Sequence, residues 1–244
     1  MSDVWVVLPT YEEAANLKPV VTAVRAVLAG CAPEGFRVLV VDDASPDGTG
    51  AIADRLAAAH TDVEVVHRPR KNGLGPAYIA GFDHALARGA GYVVEMDADL
   101  SHDPAHLPAL LALARAGTDV VLGSRYVPGG GVRDWGLRRR VVSRGGCWYA
   151  RTVLGVGVRD LTSGFKCFRA DALQALDYRS VRSRGYAFQV ELTYRALLRG
   201  FRVVEVPIVF RDRELGRSKM NWRIAREAVV LVPRLRRRER RSVA

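Results

Sequence analysis

The stretch Tyr92-Val-Val-Glu-Met-Asp-Ala-Asp-Leu-Ser101 places two aspartates at the end of a short, mostly apolar run. Residues 92–96 are predicted to form a buried strand, because the run is short, rich in valine and followed by turn residues. Asp103 and Pro104 come next, and an aspartate cap with proline in the first turn predicts a helix that runs to Ala116. The stretch therefore predicts a strand that brings two carboxylates to one edge of a sheet.

Strands and helices alternate on both sides of this stretch in the first half of the chain. Short valine-rich runs predict strands at residues 4–8, 38–41, 63–67 and 119–122, and apolar residues at helical spacing predict helices at 12–29, 50–59 and 76–88. Pro19 either kinks the first helix or marks its true start. The alternation predicts an α/β fold with a mostly parallel central sheet and helices on both faces, which is a nucleotide-binding type of architecture.

The second half of the chain is less regular, and it contains neither an internal repeat nor a linker. Pro128 and three glycines predict a mobile loop over residues 126–135. Helices are predicted at 138–154 and 188–198, strands at 165–168 and 202–210, and a polar stretch at 211–219. A final helix is predicted from Asn221 to about Leu231, ended by Pro233, and the charge run at 234–241 is typical of a solvated end.

Charge is distributed unevenly along the 244 residues. The formal net charge is +11, yet residues 1–124 contain 9 basic and 16 acidic side chains, whereas residues 125–244 contain 28 basic and 10 acidic ones. Only 4 of the 37 basic residues are lysines, and arginine suits bidentate binding of phosphate. Overall composition can explain the total, but the uneven distribution needs a functional explanation.

Composition and motif counts disfavour several classes of protein. No run approaches the roughly 18 to 20 consecutive apolar residues that a bilayer-spanning helix needs. The first residues lack the basic region and the cleavage site of a secretory leader, so we expect a cytoplasmic protein. Cys31, Cys147 and Cys167 form no Cys-x-x-Cys pair, which favours buried free thiols over a disulfide framework or a thiolate zinc site.

Polar residues follow three of the predicted strands at their ends, where ligands bind in open α/β sheets. Residues 9–13 follow the first strand, 42–49 the second and 97–101 the fourth. The Ser-Pro-Asp-Gly-Thr part of the second is equally well explained as a capped turn. Asp97 and Asp99 are harder to explain in that way, because close carboxylates repel unless a cation or hydrogen-bond donors offset them. Such a pair of oxygen ligands suits Mg²⁺ or Mn²⁺ bridging a diphosphate.

A series of motifs continues through the second half of the chain. They are Gly123-Ser-Arg-Tyr126, Gly129-Gly-Gly-Val132, Leu137-Arg-Arg-Arg-Val-Val-Ser-Arg-Gly145, Asp160-Leu-Thr-Ser-Gly-Phe165, Gly185-Tyr-Ala-Phe-Gln189, Glu205-Val-Pro-Ile-Val-Phe-Arg-Asp-Arg213 and Gly216-Arg-Ser-Lys219. With the three strand ends, this ordered set resembles the nucleotide-sugar glycosyltransferases of family 2 with the GT-A fold, and within them the polyprenyl (dolichyl) phosphate mannose synthases. The likeness runs from about Val4 to Lys219. It implies inverting transfer of mannose from GDP-mannose to a polyprenyl phosphate, with the acceptor phosphate as nucleophile and a divalent metal ion on the leaving GDP.

The resemblance implies a role for each matching residue. Donor-binding residues are expected to be Pro9, Tyr11, Glu13, Val41, Asp42, Asp43, Asp97, Ala98, Asp99, Arg125, Arg213 and Lys219. The catalytic set is expected to be Asp97, Asp99, Arg125, Arg213 and Lys219, and the acceptor phosphate is expected at Arg139, Ser143 and Arg213. Asp99 is the expected principal ligand of Mg²⁺ or Mn²⁺, with Asp97. Ser101 stands where some relatives place a glutamine that helps to bind the metal.

The resemblance also explains the uneven charge. The acidic half would hold a metal ion and a nucleotide, while the basic half would face a lipid phosphate at an anionic membrane surface, where each Lys or Arg contributes on the order of 1 kcal/mol. We expect a peripheral protein on the cytoplasmic face, with a GT-A catalytic domain at 1–220 and a basic amphipathic helix and tail at 221–244. Docking is expected through Trp222, Ile224, Val229, Val230 and the arginines that follow. Packing of this helix on the core is the alternative, and a separate membrane-protein partner is compatible with the sequence.

Other functions fit the sequence less well. The same chemistry with UDP-glucose or another donor would differ in only a few side chains and loops. A nucleic-acid-binding protein would account for the charge, but the RNP-like, zinc-finger and heptad signals of that class are absent. By family resemblance, a processive polysaccharide synthase would carry Gln-x-x-Arg-Trp, which the chain lacks. A dehydrogenase would carry Gly-x-Gly-x-x-Gly after its first strand, whereas Gly73-Leu-Gly75 follows the third.

Overall fold

The computed structural model describes residues 3–181, 183, 185–212 and 231–239. Its strands are β1 (Val4–Thr10), β2 (Phe36–Asp42), β3 (Val63–His67), β4 (Tyr92–Glu95), β5 (Val120–Ser124), β6 (Gly131–Val132), β7 (Lys166–Arg169), β8 (Val203–Pro207) and β9 (Val209–Phe210). Its α-helices are α1 (Ala14–Cys31), α2 (Thr49–Ala59), α3 (Leu74–Ala87), α4 (Leu107–Arg115), α5 (Leu137–Leu154), α6 (Ala170–Ala175) and α7 (Tyr186–Leu198). Residues 231–239 are also helical.

Seven strands form one sheet in the order β3-β2-β1-β4-β7-β5-β8. Neighbouring strands are parallel except for β7, which runs antiparallel to both β4 and β5. The predicted mostly parallel α/β sheet is therefore confirmed. Parallel pairing brings the carboxyl ends of β1, β2, β4 and β5 to the same edge, where the polar strand ends lie.

Side chains that alternate along β1 pack into two apolar clusters. Val6 and Leu8 lie in one cluster with apolar residues of α1 and α4, and Trp5 and Val7 lie in the other with residues of α3 and α7. A Cβ atom at Gly81 of α3 would collide with the side chain of Val7, so this helix packs close against the sheet. Helices on both faces explain why the first-half strands are almost continuously apolar.

The structure differs from the sequence predictions at four main places before residue 212. α1 begins at Ala14, so Pro19 lies inside the helix and does not mark its start. The predicted loop at 126–135 contains β6, because Gly131 N–H donates to Ile208 O (2.9 Å) and Arg133 N–H to Phe210 O (2.8 Å). The same pairing divides the predicted strand at 202–210 into β8 and β9, since the chain leaves β5 and pairs with β6. The short helix α6 was not predicted.

The prediction that Pro233 ends the final helix and that a solvated tail follows is wrong for residues 231–239. These residues are helical, and Val232 and Leu235 are buried in a cluster with Leu154 of α5. The Glu239 carboxylate lies 3.1 Å from Nε of Arg195 in a buried ion pair. Leu235 and Glu239 are four residues apart and therefore share one face of the helix, a pattern hidden among the surrounding arginines. The rest of the predicted final helix lies outside the described residues.

Replacing Leu235 by alanine is expected to lower the free energy of unfolding by about 2 to 5 kcal/mol, because it leaves a cavity against α5. Urea denaturation followed by circular dichroism measures the change. Arg237→Ala is the matched control, since Arg237 is exposed on the same helix. Equal stabilities of the two variants would show that this helix does not pack on the catalytic core.

Helices of the described ranges include none that combines the length and the apolar character needed to cross a bilayer.

Candidate active site

Three tight loops follow β1, β2 and β4 at the carboxyl edge of the sheet. β1 and β2 are in register, with Thr10 opposite Asp42, and Asp43 N–H donates to Thr10 O (3.0 Å). Glu12, Ala44 and Leu100, one in each loop, have positive φ angles of 58°, 57° and 61°. Non-glycine residues in this left-handed region cost free energy, and such strain is typical of functional loops held in place by their surroundings.

The predicted donor residues of β1 and β2 come together at this edge. The buried Asp43 carboxylate accepts hydrogen bonds from the Arg68 guanidinium and from Asn72 N–H (3.1 Å). The Lys71 ammonium lies 3.4 Å from the ring centroid of Tyr11. Val41 and Ala98 are buried, so their contacts with a ligand would come through the main chain.

The group of predicted donor-binding residues at β1 and β2 also includes Glu13, Pro9 and Asp42. The Glu13 carboxylate accepts a hydrogen bond from Asn16 Nδ2 (2.7 Å), and Pro9 pairs with Val41 in the β1–β2 register. The buried Asp42 carboxylate accepts the N–H of Ser45 at 3.4 Å. These contacts fix the loops, which carry three carboxylates at the carboxyl edge of the sheet.

Arg68, Lys71 and Asn72 were missed by the sequence analysis. They lie in the loop after β3, which is not one of the three strand ends predicted to bind a ligand. A cluster of basic residues directly after a strand was the signal that could have found them. Arg68 and Lys71 place positive charge beside the loops that follow β1 and β2.

The acidic pair after β4 is held by local hydrogen bonds. Asp99 is buried, and its Oδ1 accepts both the N–H (3.0 Å) and the hydroxyl (2.5 Å) of Ser101. Asp97 is more open, with its main-chain N–H donated to Nδ1 of His102 (3.1 Å). Ser101 thus orients the Asp99 carboxylate, and direct coordination of a metal by Ser101 stays a prediction.

The carboxylate oxygens of Asp97 and Asp99 are suitable ligands for a hard divalent cation. Carboxylate oxygens are the protein ligands that Mg²⁺ and Mn²⁺ prefer. Among the residues that the structure describes, no group of three or more His, Cys, Asp or Glu side chains could hold a metal by itself. A cation bound by Asp97 and Asp99 would therefore take further ligands from phosphate and water, as Mg²⁺ commonly does.

His102 positions the Asp97 backbone and is neutral at neutral pH. Its ring stacks on Phe165 (centroids 5.0 Å apart) and meets Phe210 edge to face (5.3 Å). Because Nδ1 accepts a hydrogen bond, the ring proton is assigned to Nε2. Burial lowers the pKa of His102 to about 4.

The free energy of unfolding is expected to fall by about 3 kcal/mol as the pH drops from about 6.5 to about 4 on account of His102 alone. In that window the unfolded histidine binds a proton and the folded one does not, so acid favours the unfolded chain. His102→Gln should remove this part of the pH dependence, as measured by urea denaturation across the window. His60→Gln is the control outside the site, and an unchanged slope in His102→Gln would contradict the assignment.

A buried ion pair lies beneath the acidic pair. Lys166 of β7 stands opposite Glu95 of β4, with Nζ 3.5 Å from the Glu95 carboxylate and 3.3 Å from Gln189 O. Burial raises the pKa of Glu95 to about 7 and lowers that of Lys166. The sequence analysis missed this pair, since a lysine in a short apolar strand gives no indication of its partner.

Arg125 follows β5 and is held by Asp160. Its Nε and Nη2 each donate to the Asp160 carboxylate at 2.7 Å, its main-chain N–H donates to the same group at 3.0 Å, and Nη2 reaches Thr162 Oγ1 (2.7 Å). The ring of Trp135 lies 5.5 Å from the guanidinium. Arg125 is therefore buried and charge-compensated, and its predicted contact with phosphate stays a prediction.

A cavity of about 290 Å³ lies beside Arg125, lined by Arg125, Tyr126, Gly130, Gly131, Val132, Arg140 and Arg144. Arg140 and Arg144 are one turn apart on α5 and both reach it. Within the described residues neither guanidinium has an ion-pair partner, and the cavity lining contains no carboxylate. The cavity is therefore a positively charged site of the kind that phosphate occupies.

The predicted acceptor residues occupy other positions. Arg139 donates from Nη1 to Asp212 (2.6 Å) and lies 4.1 Å from the Trp135 ring, so it is not part of the cavity lining. Ser143 accepts the Tyr126 hydroxyl (2.6 Å) and thereby fixes one wall. Arg140 and Arg144 were missed as individual residues, although the motif that contains them was noted. Arg213 and Lys219 lie outside the described residues.

Residues 160–165 connect the cavity with the acidic pair. Asp160 at one end holds Arg125 in the cavity wall. Near the other end, a Cβ atom at Gly164 would lie 3.7 Å from Asp97 Oδ1. The structure thus brings together an acidic edge suited to a metal ion and diphosphate and a basic cavity suited to a second phosphate.

Comparison with known proteins defines the class of enzyme. The model of glycosyl transferase family 2 matches residues 5–177. The chain belongs to this family and is a glycosyltransferase, and its mostly parallel sheet with helices on both faces is the GT-A fold. The predicted family and fold are thus confirmed.

Particular relatives are mannosyltransferases. The chain is 51% identical over 228 residues to a polyprenol monophosphomannose synthase of Mycolicibacterium smegmatis, covering 93% of this chain and 84% of the relative. It is 49% identical to an undecaprenyl-phosphate mannosyltransferase of Micrococcus luteus, covering 93% and 91%. Among solved structures it resembles glucosyl-3-phosphoglycerate synthase of Mycobacterium tuberculosis with Mn²⁺, UDP-glucose and phosphoglyceric acid, at 20% identity and a TM-score of 0.69, covering 96% of this chain and 80% of the other.

Proposed function

We propose that this glycosyltransferase moves mannose from GDP-mannose to a polyprenyl phosphate, with inversion at the anomeric carbon. The observation that carries the proposal is the 51% identity to a polyprenol monophosphomannose synthase over 93% of the chain. The geometry is consistent with it, because the reaction joins two anionic substrates. The acidic edge with Asp97 and Asp99 would take the donor, and the cavity with Arg140 and Arg144 would take the acceptor phosphate.

The donor would lie across the loops of β1, β2 and β4. Asp43 and Tyr11 would contact the nucleoside of the donor at the β1 and β2 loops. Its diphosphate would lie at Asp97, Ala98 and Asp99, in the loop after β4. A divalent ion, when bound, would neutralise the negative charge that develops on the departing GDP. Asp99 would hold that ion with its carboxylate fixed by Ser101, and His102 would keep the main chain of Asp97 in place.

The acceptor needs no protein base in this mechanism. A phosphate monoester has a second pKa near 6 and is largely dianionic at neutral pH, so its oxygen is already a nucleophile. The guanidinium groups of the cavity favour the charged form further. Tyr126 does not serve as a base, since burial raises its pKa and its hydroxyl donates to Ser143. The residues of the cavity would thus act by alignment and charge.

Amide variants of the carboxylates outside the strand-end loops are expected to keep their turnover within about tenfold of wild type, whereas a general base typically contributes about a hundredfold or more. The scan includes Asp134, Asp160, Glu191, Glu205 and Asp212. Asp160 and Glu205 are structural, because Glu205 accepts Asp160 N–H (2.9 Å) and Asp160 holds Arg125. Turnover must therefore be measured per folded enzyme at saturating substrates. One variant that binds both substrates normally yet loses over about a thousandfold would overturn the base-free mechanism.

The proposed function is tested directly with a radiolabelled sugar donor. Purified protein is incubated with radiolabelled GDP-mannose, Mg²⁺ and a polyprenyl phosphate, and the mixture is extracted into organic solvent. We expect label in the organic phase, and none when the lipid phosphate is omitted or UDP-glucose replaces the donor. Transfer of label only from UDP-glucose would show that the donor is UDP-glucose and not GDP-mannose. Label that remains in the aqueous phase with every donor would overturn the proposed function.

Localisation and the division of the chain stay predictions beside this proposal. The protein is proposed to act at the cytoplasmic face of a membrane, with catalysis in residues 1–220 and a basic segment at 221–244. Residues 231–239 of that segment pack against α5 and α7, so the segment is attached to the catalytic part along these residues. Trp222, Ile224, Val229 and Val230, the predicted docking residues, lie outside the described residues.

A further inference from the structure

Helix α5 exposes apolar side chains that nothing in the described part of the chain covers. Leu137 is 78% exposed, Trp148 65%, Val141 63% and Val142 49%, and these are all of the large apolar side chains that are exposed among the described residues. Side chains of this size cost free energy in water, so a group of them on one element indicates a surface that binds something.

Three of the four form one stripe. Leu137, Val141 and Trp148 follow one another at spacings of four and seven residues, which places them on the same face of a helix. Buried Cys147, Ala150 and Leu154 form the opposite, inward side of α5. Val142 lies off the stripe. We call Leu137, Val141 and Trp148 the apolar stripe.

A second stripe of arginines runs beside the first. Arg140, Arg144 and Arg151 repeat the same spacings of four and seven residues, and α5 contains five arginines and no acidic residue. Arg140 and Arg144 also line the cavity. The apolar stripe and the basic stripe therefore run side by side along α5, and the basic stripe reaches the cavity through Arg140 and Arg144.

We propose that the apolar stripe of α5 docks into the surface of an anionic lipid bilayer. Exposed leucine and tryptophan with arginines alongside are the pattern of helices that lie in the membrane interface. Tryptophan is suited to this depth because its ring is apolar and its N–H is polar. Charge complementarity selects this occupant, since an apolar protein partner would not require the row of arginines.

This docking deepens the proposed function, on which it rests only for the identity of the acceptor. With the apolar stripe below the headgroups, Arg140 and Arg144 would stand at headgroup level, together with the cavity that they line. A phosphate carried on a lipid could then enter the cavity without leaving the membrane. The surface differs from residues 221–230, to which the sequence analysis assigned docking.

Binding to vesicles tests the surface without any donor or turnover. The full chain is sedimented with vesicles that contain phosphatidylglycerol and with vesicles of phosphatidylcholine alone. Leu137→Ser and Trp148→Ser are each expected to weaken binding to the anionic vesicles at least about tenfold, because each removes a large apolar side chain from the lipid phase. Val142→Ser, an exposed valine of the same helix outside the stripe, is expected to change binding less than about threefold.

Quenching by brominated phospholipid shows which tryptophan enters the bilayer. The measurement uses a Trp222→Phe background, where Trp5 and Trp135 are buried and Trp148 is exposed. We expect quenching in this background and its loss on adding Trp148→Phe. Undiminished binding in both stripe variants, or no quenching of Trp148, would overturn the proposal. Dimerisation of the wild type without lipid, lost in Trp148→Ser, would assign the stripe to a second copy instead.

Failure of this proposal and failure of the proposed function can be told apart. On a short-chain prenyl phosphate in solution, Leu137→Ser and Trp148→Ser should transfer mannose at the wild-type rate, because neither residue lines the cavity. Vesicle binding with no transfer to any acceptor would leave docking standing and remove the function. If transfer is normal and neither variant affects vesicle binding, the proposed function stands and docking through the apolar stripe is overturned.

Discussion

Replacing Asp99 by alanine is expected to lower mannosyl transfer by about a thousandfold or more. Asp99 is the proposed principal metal ligand, because its carboxylate is buried and its Oδ1 is fixed by two hydrogen bonds from Ser101. Without it, the charge that would develop on the GDP leaving group of the proposed reaction would be poorly neutralised. Metal stabilisation of such charge is worth several kcal/mol, and each 1.36 kcal/mol is about tenfold in rate.

Turnover per folded enzyme and the affinity for Mn²⁺ in the presence of GDP are the two measurements. Asp97→Asn should reduce turnover severely, and EDTA should inactivate the wild type until Mg²⁺ or Mn²⁺ is restored. Asp103→Asn is the matched control, since Asp103 caps the next helical turn and an amide oxygen can keep its hydrogen bond to Ala105 N–H. Full activity of the wild type in EDTA would remove the metal from the mechanism.

Ser101→Ala separates orientation from coordination at the same site. If Ser101 only orients Asp99, the variant should lose about 1 kcal/mol of metal-binding free energy, which is the worth of one hydrogen bond. The Ser101 N–H would still hold the carboxylate at 3.0 Å. A loss as large as that of Asp99→Ala would instead make the hydroxyl a metal ligand.

Local patterns predicted the first half of the fold because the strands there are buried on both faces. Predicted strand ends agree with β1 to β5 within about two residues, and Asp103 caps its helical turn as expected. The position of β7 could not be predicted, since it runs antiparallel between β4 and β5 and pairs with residues far away in sequence. Burial of Leu235 and Glu239 depended equally on distant partners, here in α5 and α7.

Residues of the site were predictable where they follow a strand and less so where they lie on a helix. Pro9, Asp43 and Asp99 are placed by the sheet itself, so a strand pattern locates them. On α5 the sequence shows arginines at four of eight successive positions, and apolar residues occur on more than one face. Which arginines reach the cavity depends on how the helix is rotated, and that rotation is set by the packing of Cys147, Ala150 and Leu154.

The double variant Arg140→Ala/Arg144→Ala is expected to lower kcat/KM for the lipid phosphate by about a hundredfold to a thousandfold. A charge-assisted hydrogen bond to phosphate is worth roughly 1.5 to 3 kcal/mol, and two residues that share one ligand are not fully additive. The loss should be in use of the acceptor, because both residues line the cavity and neither lies at the carboxyl edge that would bind GDP. Calorimetry should therefore give an unchanged affinity for GDP.

Two single variants on α5 test which arginines bind the acceptor phosphate. Arg138→Ala is the control, since Arg138 is exposed and does not line the cavity, and it should change kcat/KM less than about threefold. Arg139→Ala should mainly remove the ion pair with Asp212 and uncover Trp135, with a smaller loss than the double variant. A larger loss in Arg139→Ala, with GDP binding intact, would return the acceptor phosphate to Arg139 as the sequence predicted. An equal loss of GDP affinity in the double variant would instead move Arg140 and Arg144 to the donor side, because the cavity would then be holding the diphosphate.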